Sequence, residues 1–135
     1  QRYKQKLLLM MLDLDNFKKV NDSYGHNIGD ILLNCIAVKL TKFMRRSDLV
    51  FRYGGDEFCI ILRNTTISGG KILANRIKDN INKEECDCKK VKIKTSLSIG
   101  LVELNDNDNS IKFIERADNF LYEAKKSGRN NVIAE

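Results

Sequence analysis

Apolar residues recur along this chain in distinct rhythms, and each rhythm predicts an element. Leu7 to Leu12 is an unbroken apolar run that stops at Asp13, the pattern of a strand buried on both faces. Phe17 to Gly29 is polar and carries Asn-Asp, Tyr-Gly and Ile-Gly pairs, which read as turns. Asp30 is placed to cap the helix that follows, whose stripe is Leu32, Cys35, Ile36, Leu40 and Phe43 and whose end carries Arg45 and Arg46. Leu49-Val50-Phe51 with Tyr53, and then Phe58 to Leu62, are two strand patterns rich in β-branched and aromatic residues. From Gly70, the residues Leu73, Ala74, Ile77 and Ile81 mark a second amphipathic helix. Val91, Ile93, Leu97, Ile99 and Leu101 alternate with Lys92, Lys94, Ser96 and Ser98, which predicts one half-buried strand with a wet face. After a polar loop from Asn105, Ser110 can cap a third helix with the stripe Ile114, Ala117, Leu121 and Ala124, closed by Lys125, Lys126 and Gly128. Val132 and Ile133 add a short last strand.

The order predicts an α/β sandwich: a ferredoxin-like βαββαβ core with a central mixed sheet flanked by helices. A strand–helix–strand crossover leaves its two strands parallel. The strand ending at Asp13 and the strand ending at the Gly54-Gly55 turn should then finish on the same side of the sheet, bringing Asp13 and Asp56 together.

At 135 residues and 42% apolar, the chain is sized for one domain with its own core and is not disordered. A net charge of +6 favours an anionic partner without choosing between nucleotide, nucleic acid and membrane surface. No apolar run approaches a membrane span, and Leu7 to Leu12 is too short for a signal peptide, so a cytoplasmic domain without membrane contact is expected. Cys35 and Cys59 fall on apolar faces and read as core thiols; Cys86-Asp87-Cys88 lacks a second Cys/His pair and reads as a loop.

The candidate chemistry sits between the two central strand patterns. Gly54-Gly55 reads as a tight hairpin turn, because a two-residue loop needs the positive φ that glycine adopts without strain. Asp56 and Glu57 follow at once. Adjacent acids at a hairpin either blunt a sheet edge or hold metal and move protons. Convergence with Asp13 favours the second reading, a site for Mg²⁺ or Mn²⁺, hard ions that prefer oxygen ligands. Nothing matches a Walker A or G-x-G-x-x-G loop, so phosphates would be held by metal and by separate cations. Lys18, Lys125 and Arg129 are the nearest candidates, against the ordinary reading of solvated cations.

Gly54-Gly55-Asp56-Glu57-Phe58 is the signature of the GGDEF family, the diguanylate cyclases. Asp13-Leu14-Asp15-Asn16-Phe17-Lys18, with Asn21-Asp22, Tyr24-Gly25-His26 and Gly29-Asp30, resembles the family's first motif. Ala124-Lys125-Lys126-Ser127-Gly128-Arg129-Asn130 resembles its last. The resemblance runs from about Leu7 to the C-terminus and implies a single domain over 1–135. It implies condensation of two GTP into cyclic di-GMP and two pyrophosphates, by metal-assisted attack of a 3′-hydroxyl on an α-phosphate across a homodimer. It implies two Mg²⁺ or Mn²⁺ per half-site, held by Asp13, Asp56 and the carbonyl of Leu14. Asp56 would accept the hydroxyl proton, with Glu57 supporting metal binding at the turn; which acid is the base stays open. Asn21 and Asp30 would bind guanine, Lys18, Lys125 and Arg129 the terminal phosphates, and His26 the substrate. Gly54 and Gly55 would admit the phosphates closely. Arg45 and Asp48, an R-x-x-D pattern, would form a product-inhibition site with Arg76 as a further contact. The family also carries a helix with a D-x-L-T-x-L-x-N-R segment ahead of its first strand. Only Gln1 to Lys6 precede that strand here, so the chain reads as the C-terminal output part of a longer protein.

Two other classes compete. One is a GGDEF domain without catalysis that senses GTP or cyclic di-GMP; Asp13, Asp56, Glu57 and Lys125 are all in place, which argues against it. The other is an RNA-binding domain of similar topology. No RNP1-like strand and no Trp are available for base stacking, so no nucleic-acid partner is expected.

Overall fold

The opening apolar run becomes β1 (Leu7–Leu14), in which every residue after Leu7 is buried. A computed structural model describes residues 6–135; residues 1–5, part of the short segment ahead of β1, lie outside the described residues. β1 is the middle strand of a five-stranded sheet. The other strands are β2 (Leu49–Arg52), β3 (Glu57–Arg63), β6 (Leu97–Glu103) and β7 (Asn131–Ala134), in the order β2-β3-β1-β6-β7. β1 runs antiparallel to both neighbours, β2 is antiparallel to β3, and β6 and β7 are parallel, so the sheet is mixed.

Side-chain alternation sends Leu8, Met10, Leu12 and Leu14 to one face, where they pack with Leu32, Ile36 and Leu40 of α2 (His26–Lys42) and Ala74, Ile77 and Ile81 of α3 (Ile67–Lys83). Leu9 and Met11 go to the other face, where they meet Phe113, Ala117 and Leu121 of α4 (Ser110–Lys126). Asp13 shares that second face, the one α4 covers, and its position there follows from the strand period.

The expected α/β sandwich is present, and the differences lie in its parts. The polar stretch read as turns folds as α1 (Phe17–Tyr24) and the first turn of α2, which meet at Gly25 with φ 92°. Asp30 is therefore inside α2 and caps nothing. Asn109, not Ser110, caps α4 by accepting from Lys112 N at 2.8 Å, and α3 starts earlier than expected, capped by Thr66. The single wet strand expected from Val91 to Leu101 is two strands. β5 (Val91–Ile93) pairs with β4 (Cys86–Cys88) in a separate hairpin, and β6 is buried on both faces. Ser98, expected on the wet face, is fully buried and donates to Asp15 Oδ1 at 2.6 Å, and α4 lies directly on Gly100. A Cβ on Gly100 would sit 2.4 Å from Leu121 N and 2.5 Å from Ala117 O.

The cysteine reading is also corrected. Cys35 and Cys86 form a disulfide joining α2 to β4, and the predicted Cys86-Asp87-Cys88 loop is β4 itself. Cys59 and Cys88 are free and buried. The Gly54-Gly55 hairpin is wider than a two-residue turn: Arg52 pairs with Phe58, and Tyr53 N donates to Glu57 O at 2.9 Å. The positive-φ glycines of the described chain are Gly25 and Gly128, so backbone handedness does not explain Gly54 or Gly55.

Candidate active site at the end of the central strand

Asp13 and Asp56 do converge, by a different route from the one expected. β1 and β2 point the same way but are not neighbours; β3 lies between them. Asp13 pairs in register with Glu57, the first residue of β3, and Leu14 N donates to Asp56 O at 3.3 Å. The loop that carries Asp56 is thus fastened to the end of β1.

Asp13 is only 4% exposed. Its Oδ2 accepts from Lys125 Nζ, which reaches over from the last turn of α4. Its Oδ1 is buried and has no partner among the described residues. The Asp13 carboxyl is raised to about 7: burial pushes it up, the Lys125 ammonium opposes this, and the neighbouring Asp56 carboxylate adds to the rise. Burial, and then the charge of Asp118, also raise Glu57.

A cleft of about 430 Å³ opens at this edge. It brings together Asp13, Leu14, Lys18, Asp56, Lys125 and Arg129, six of the residues expected from sequence. The others lie outside its lining. Glu57 is half-buried, while Gly54 and Gly55 are exposed, and a Cβ at Gly55 would meet nothing within 4 Å. His26 and Asp30 are exposed on α2. Asn21, on α1, packs against Gly29 of α2, where a Cβ would come within 1.9 Å of Asn21 Oδ1; that oxygen is buried without a partner among the described residues.

Arg45 and Asp48 lie elsewhere, between α2 and β2. The Asp48 side chain is buried and accepts from Arg45 N at 2.9 Å and from the Arg45 guanidinium at 3.3 Å. The same guanidinium also donates to Arg63 O at 2.9 Å and Thr65 Oγ1 at 2.7 Å, yet more than half of the Arg45 side chain stays exposed. Arg76, on α3, stands over the Phe43 ring at 5.8 Å in a separate cleft with Lys39 and Lys42.

Two acids of the site region were not singled out from sequence. Asp15 is 5% exposed and accepts from Ser96 Oγ and Ser98 Oγ, both at 2.6 Å, and from Asn130 N at 2.8 Å. It fastens β6 and the start of β7 to the segment after β1. Asp118 on α4 is itself raised by burial and acts on Glu57 and Cys59. The available signals were spacing: Asp15 is two residues after Asp13, and Asp118 is seven before Lys125, on one helix face.

Among the described residues no three His, Cys, Asp or Glu gather into a cluster that could hold a metal alone. Two carboxylates with a neighbouring carbonyl are the sparse donor set of a Mg²⁺-type ion, which keeps waters and takes further ligands from substrate phosphates. The unpartnered buried oxygen of Asp13 fits such an ion. No helix among the described residues is long and apolar enough to cross a membrane.

A mixed sheet flanked by helices on both faces, with buried acid at the end of its central strand, is the nucleotidyl-cyclase type of α/β fold, and solved structures agree. Diguanylate cyclase SiaD from Pseudomonas aeruginosa, crystallised with its activator SiaC, superposes with a TM-score of 0.94 at 32% identity, covering 100% of this chain and 52% of that one. The GGDEF domain of DgcB from Caulobacter crescentus, in complex with c-di-GMP, gives a TM-score of 0.91 at 28% identity over 96% of this chain and 78% of that one. The family model for "Diguanylate cyclase, GGDEF domain" matches residues 1–131, and the chain belongs to the GGDEF domain family. Diguanylate cyclase A of Treponema denticola is 39% identical over 130 residues, 96% of this chain and 35% of that protein. Diguanylate cyclase DosC of Escherichia coli is 39% identical over 127 residues, 93% of this chain and 28% of that protein. The chain thus spans about a third of the length of these relatives.

Proposed function

We propose that this chain is the catalytic domain of a diguanylate cyclase, condensing two GTP into cyclic di-GMP and two pyrophosphates. The observation that carries the reading is Asp13: a buried carboxylate with one oxygen unpartnered, beside Asp56 and Lys125, on a cleft wide enough for a phosphate chain. Lys125 offsets part of the cost of burying that carboxylate, and a cation at the unpartnered oxygen would offset more.

Dependence on divalent metal is general to the family. Here Asp13, Asp56 and the Leu14 carbonyl would hold Mg²⁺ or Mn²⁺, two per half-site. When bound, the metal supplies charge neutralisation on the phosphates and activation of the attacking oxygen. The chain's own residues do the rest. Asp56 would accept the 3′-hydroxyl proton while Glu57 would support metal binding at the turn. Lys125, already beside Asp13, would pass its ammonium to an incoming phosphate, with Lys18 and Arg129 as further clamps. Gly54 and Gly55, exposed and without side chains, would let phosphate approach the backbone. Asn21 and Asp30 would read guanine, since a carboxylate accepts from both N1–H and the exocyclic amine; His26 would lie against the substrate. Each domain offers one half-site, so two copies must face each other.

The test is product analysis after incubating a longer form of the protein with GTP and Mg²⁺. Cyclic di-GMP and pyrophosphate in a one-to-two ratio support the reading. GTP bound but unconverted at every metal concentration would replace it with the nucleotide-sensing domain.

Product would act back at Arg45 and Asp48, with Arg76 contributing. The exposed part of the Arg45 guanidinium can fork onto a phosphate or the Hoogsteen edge of guanine. Arg45→Ala should relieve inhibition by cyclic di-GMP and leave the initial rate nearly unchanged. Calorimetry on an Asp56→Asn background checks this: equal affinity for cyclic di-GMP with and without Arg45→Ala would place the product elsewhere.

A further inference from the structure

A second cleft, about 500 Å³ in volume, shares the start of α1 with the candidate active site but opens towards the β4–β5 hairpin. Its polar lining includes Lys19, Ser23 and Tyr24 of α1, Asn82 of α3, and Lys92 and Lys94 from β5 and the link to β6. Three lysines from two segments, Lys19 on one and Lys92 and Lys94 on the other, line it, and none has an ion-pair or hydrogen-bond partner among the described residues. The carboxylate that lines the same cleft, Asp15, is turned inwards and bonded to Ser96, Ser98 and Asn130, so it does not pair with them.

Like charges gathered around one concavity repel each other, and an anion bound among them removes that cost. Ser23, Tyr24 and Asn82 add neutral donors that a phosphate can use. The concavity is bounded by two helices and a hairpin, a shape for a compact ligand and not for a polymer laid along a surface. The plain alternative is three solvated lysines around a dent.

We propose that this cleft binds a small phosphorylated molecule, its phosphate held by Lys19, Lys92 and Lys94. The proposal does not depend on the cyclase reading. Lys92 and Lys94 line this cleft and not the candidate active one, which separates the two experimentally.

The test is calorimetric titration of the protein with pyrophosphate, in EDTA to silence metal-dependent binding and at about 150 mM salt to screen diffuse attraction. The parent should bind one pyrophosphate per chain. Lys92→Gln with Lys94→Gln should weaken binding about tenfold or more, as expected for two charge-assisted contacts. Lys92→Arg with Lys94→Arg should retain most of it, and Lys125→Gln should leave it within about twofold of the parent. Melting temperatures of all variants check that they are folded. The proposal is overturned by no binding in the parent, by unchanged affinity in the double Gln variant, or by loss in Lys125→Gln, which would move the anion to the active cleft.

Discussion

Asp13 is the buried carboxylate on which the proposed metal site rests. Replacing it or Asp56 by Asn preserves shape and removes a negative ligand from the proposed metal site. Each of Asp13→Asn and Asp56→Asn should reduce turnover of GTP below about 1% of the parent rate while the circular-dichroism spectrum is unchanged. Turnover at the parent rate in either variant would remove the metal assignment. Cys59 makes a separate prediction about pH. Burial, and then Asp118, push its thiol up to about 12 from an ordinary 9.0. The folded protein therefore holds this proton where the unfolded chain releases it, and stability contributed this way is lost as pH rises from about 9 towards 12. At pH 8.5 the native thiol should resist labelling by iodoacetamide and react only on unfolding; rapid native labelling at Cys59, followed by mass spectrometry, would contradict its burial. Asp13 was legible in sequence because an acid at the end of a buried strand has few structural excuses, and Asp56 because it directly follows the Gly54-Gly55 turn. Asp15 was not: two of its partners, Ser96 and Ser98, lie 81 and 83 positions away, and only the folded sheet brings them together.

Among the elements, α4 lies with its backbone directly against Gly100 of β6. A methyl group at Gly100 would meet backbone atoms of α4, which cannot swing aside as a side-chain tip can. Gly100→Ala should destabilise the fold by about 2 kcal/mol or more, read from the urea midpoint. Gly70→Ala, whose nearest neighbour is the Leu8 side chain at 2.5 Å, should cost less. Equal midpoints for Gly100→Ala and the parent would mean that the helix can lift off the sheet. The same contact explains why β6 was misread. Small residues that admit a helix backbone and small residues that face water leave the same trace in a pattern of apolar and polar positions. α1 was missed for a related reason: it buries no residue fully, holds Asn21-Asp22 in its middle, and is bounded by Asn16 at φ 60° and Gly25. Long periodic stripes, as in α2, α3 and α4, were readable because repeated burial is what makes the period.

At the scale of the whole molecule, the layer architecture followed from the order of elements, whereas the neighbour relations did not. A crossover argument makes β1 and β2 point the same way, but it cannot say that β3 inserts between them. The Cys35–Cys86 link, spanning 51 positions, was likewise invisible until α2 and the β4–β5 hairpin were seen to touch. On the proposed reading each domain offers one half-site, which would make catalysis a property of pairs. Specific activity should therefore rise with protein concentration across a dilution series followed by light scattering. Constant specific activity from a protein that stays monomeric throughout would rule out the two-domain reaction. The antiparallel seating of β1 between β3 and β6 has a mechanical corollary. The strand enters at Leu7 and reaches Asp13 only at its far end, roughly 20 Å away at about 3.4 Å per residue. A segment joined ahead of Leu7 would meet the sheet at the opposite end of β1 from the carboxylates. On the paired-domain reading proposed above, such a segment would act as a tether does, by setting how often and in what orientation one domain encounters another, so that control would be a matter of effective concentration.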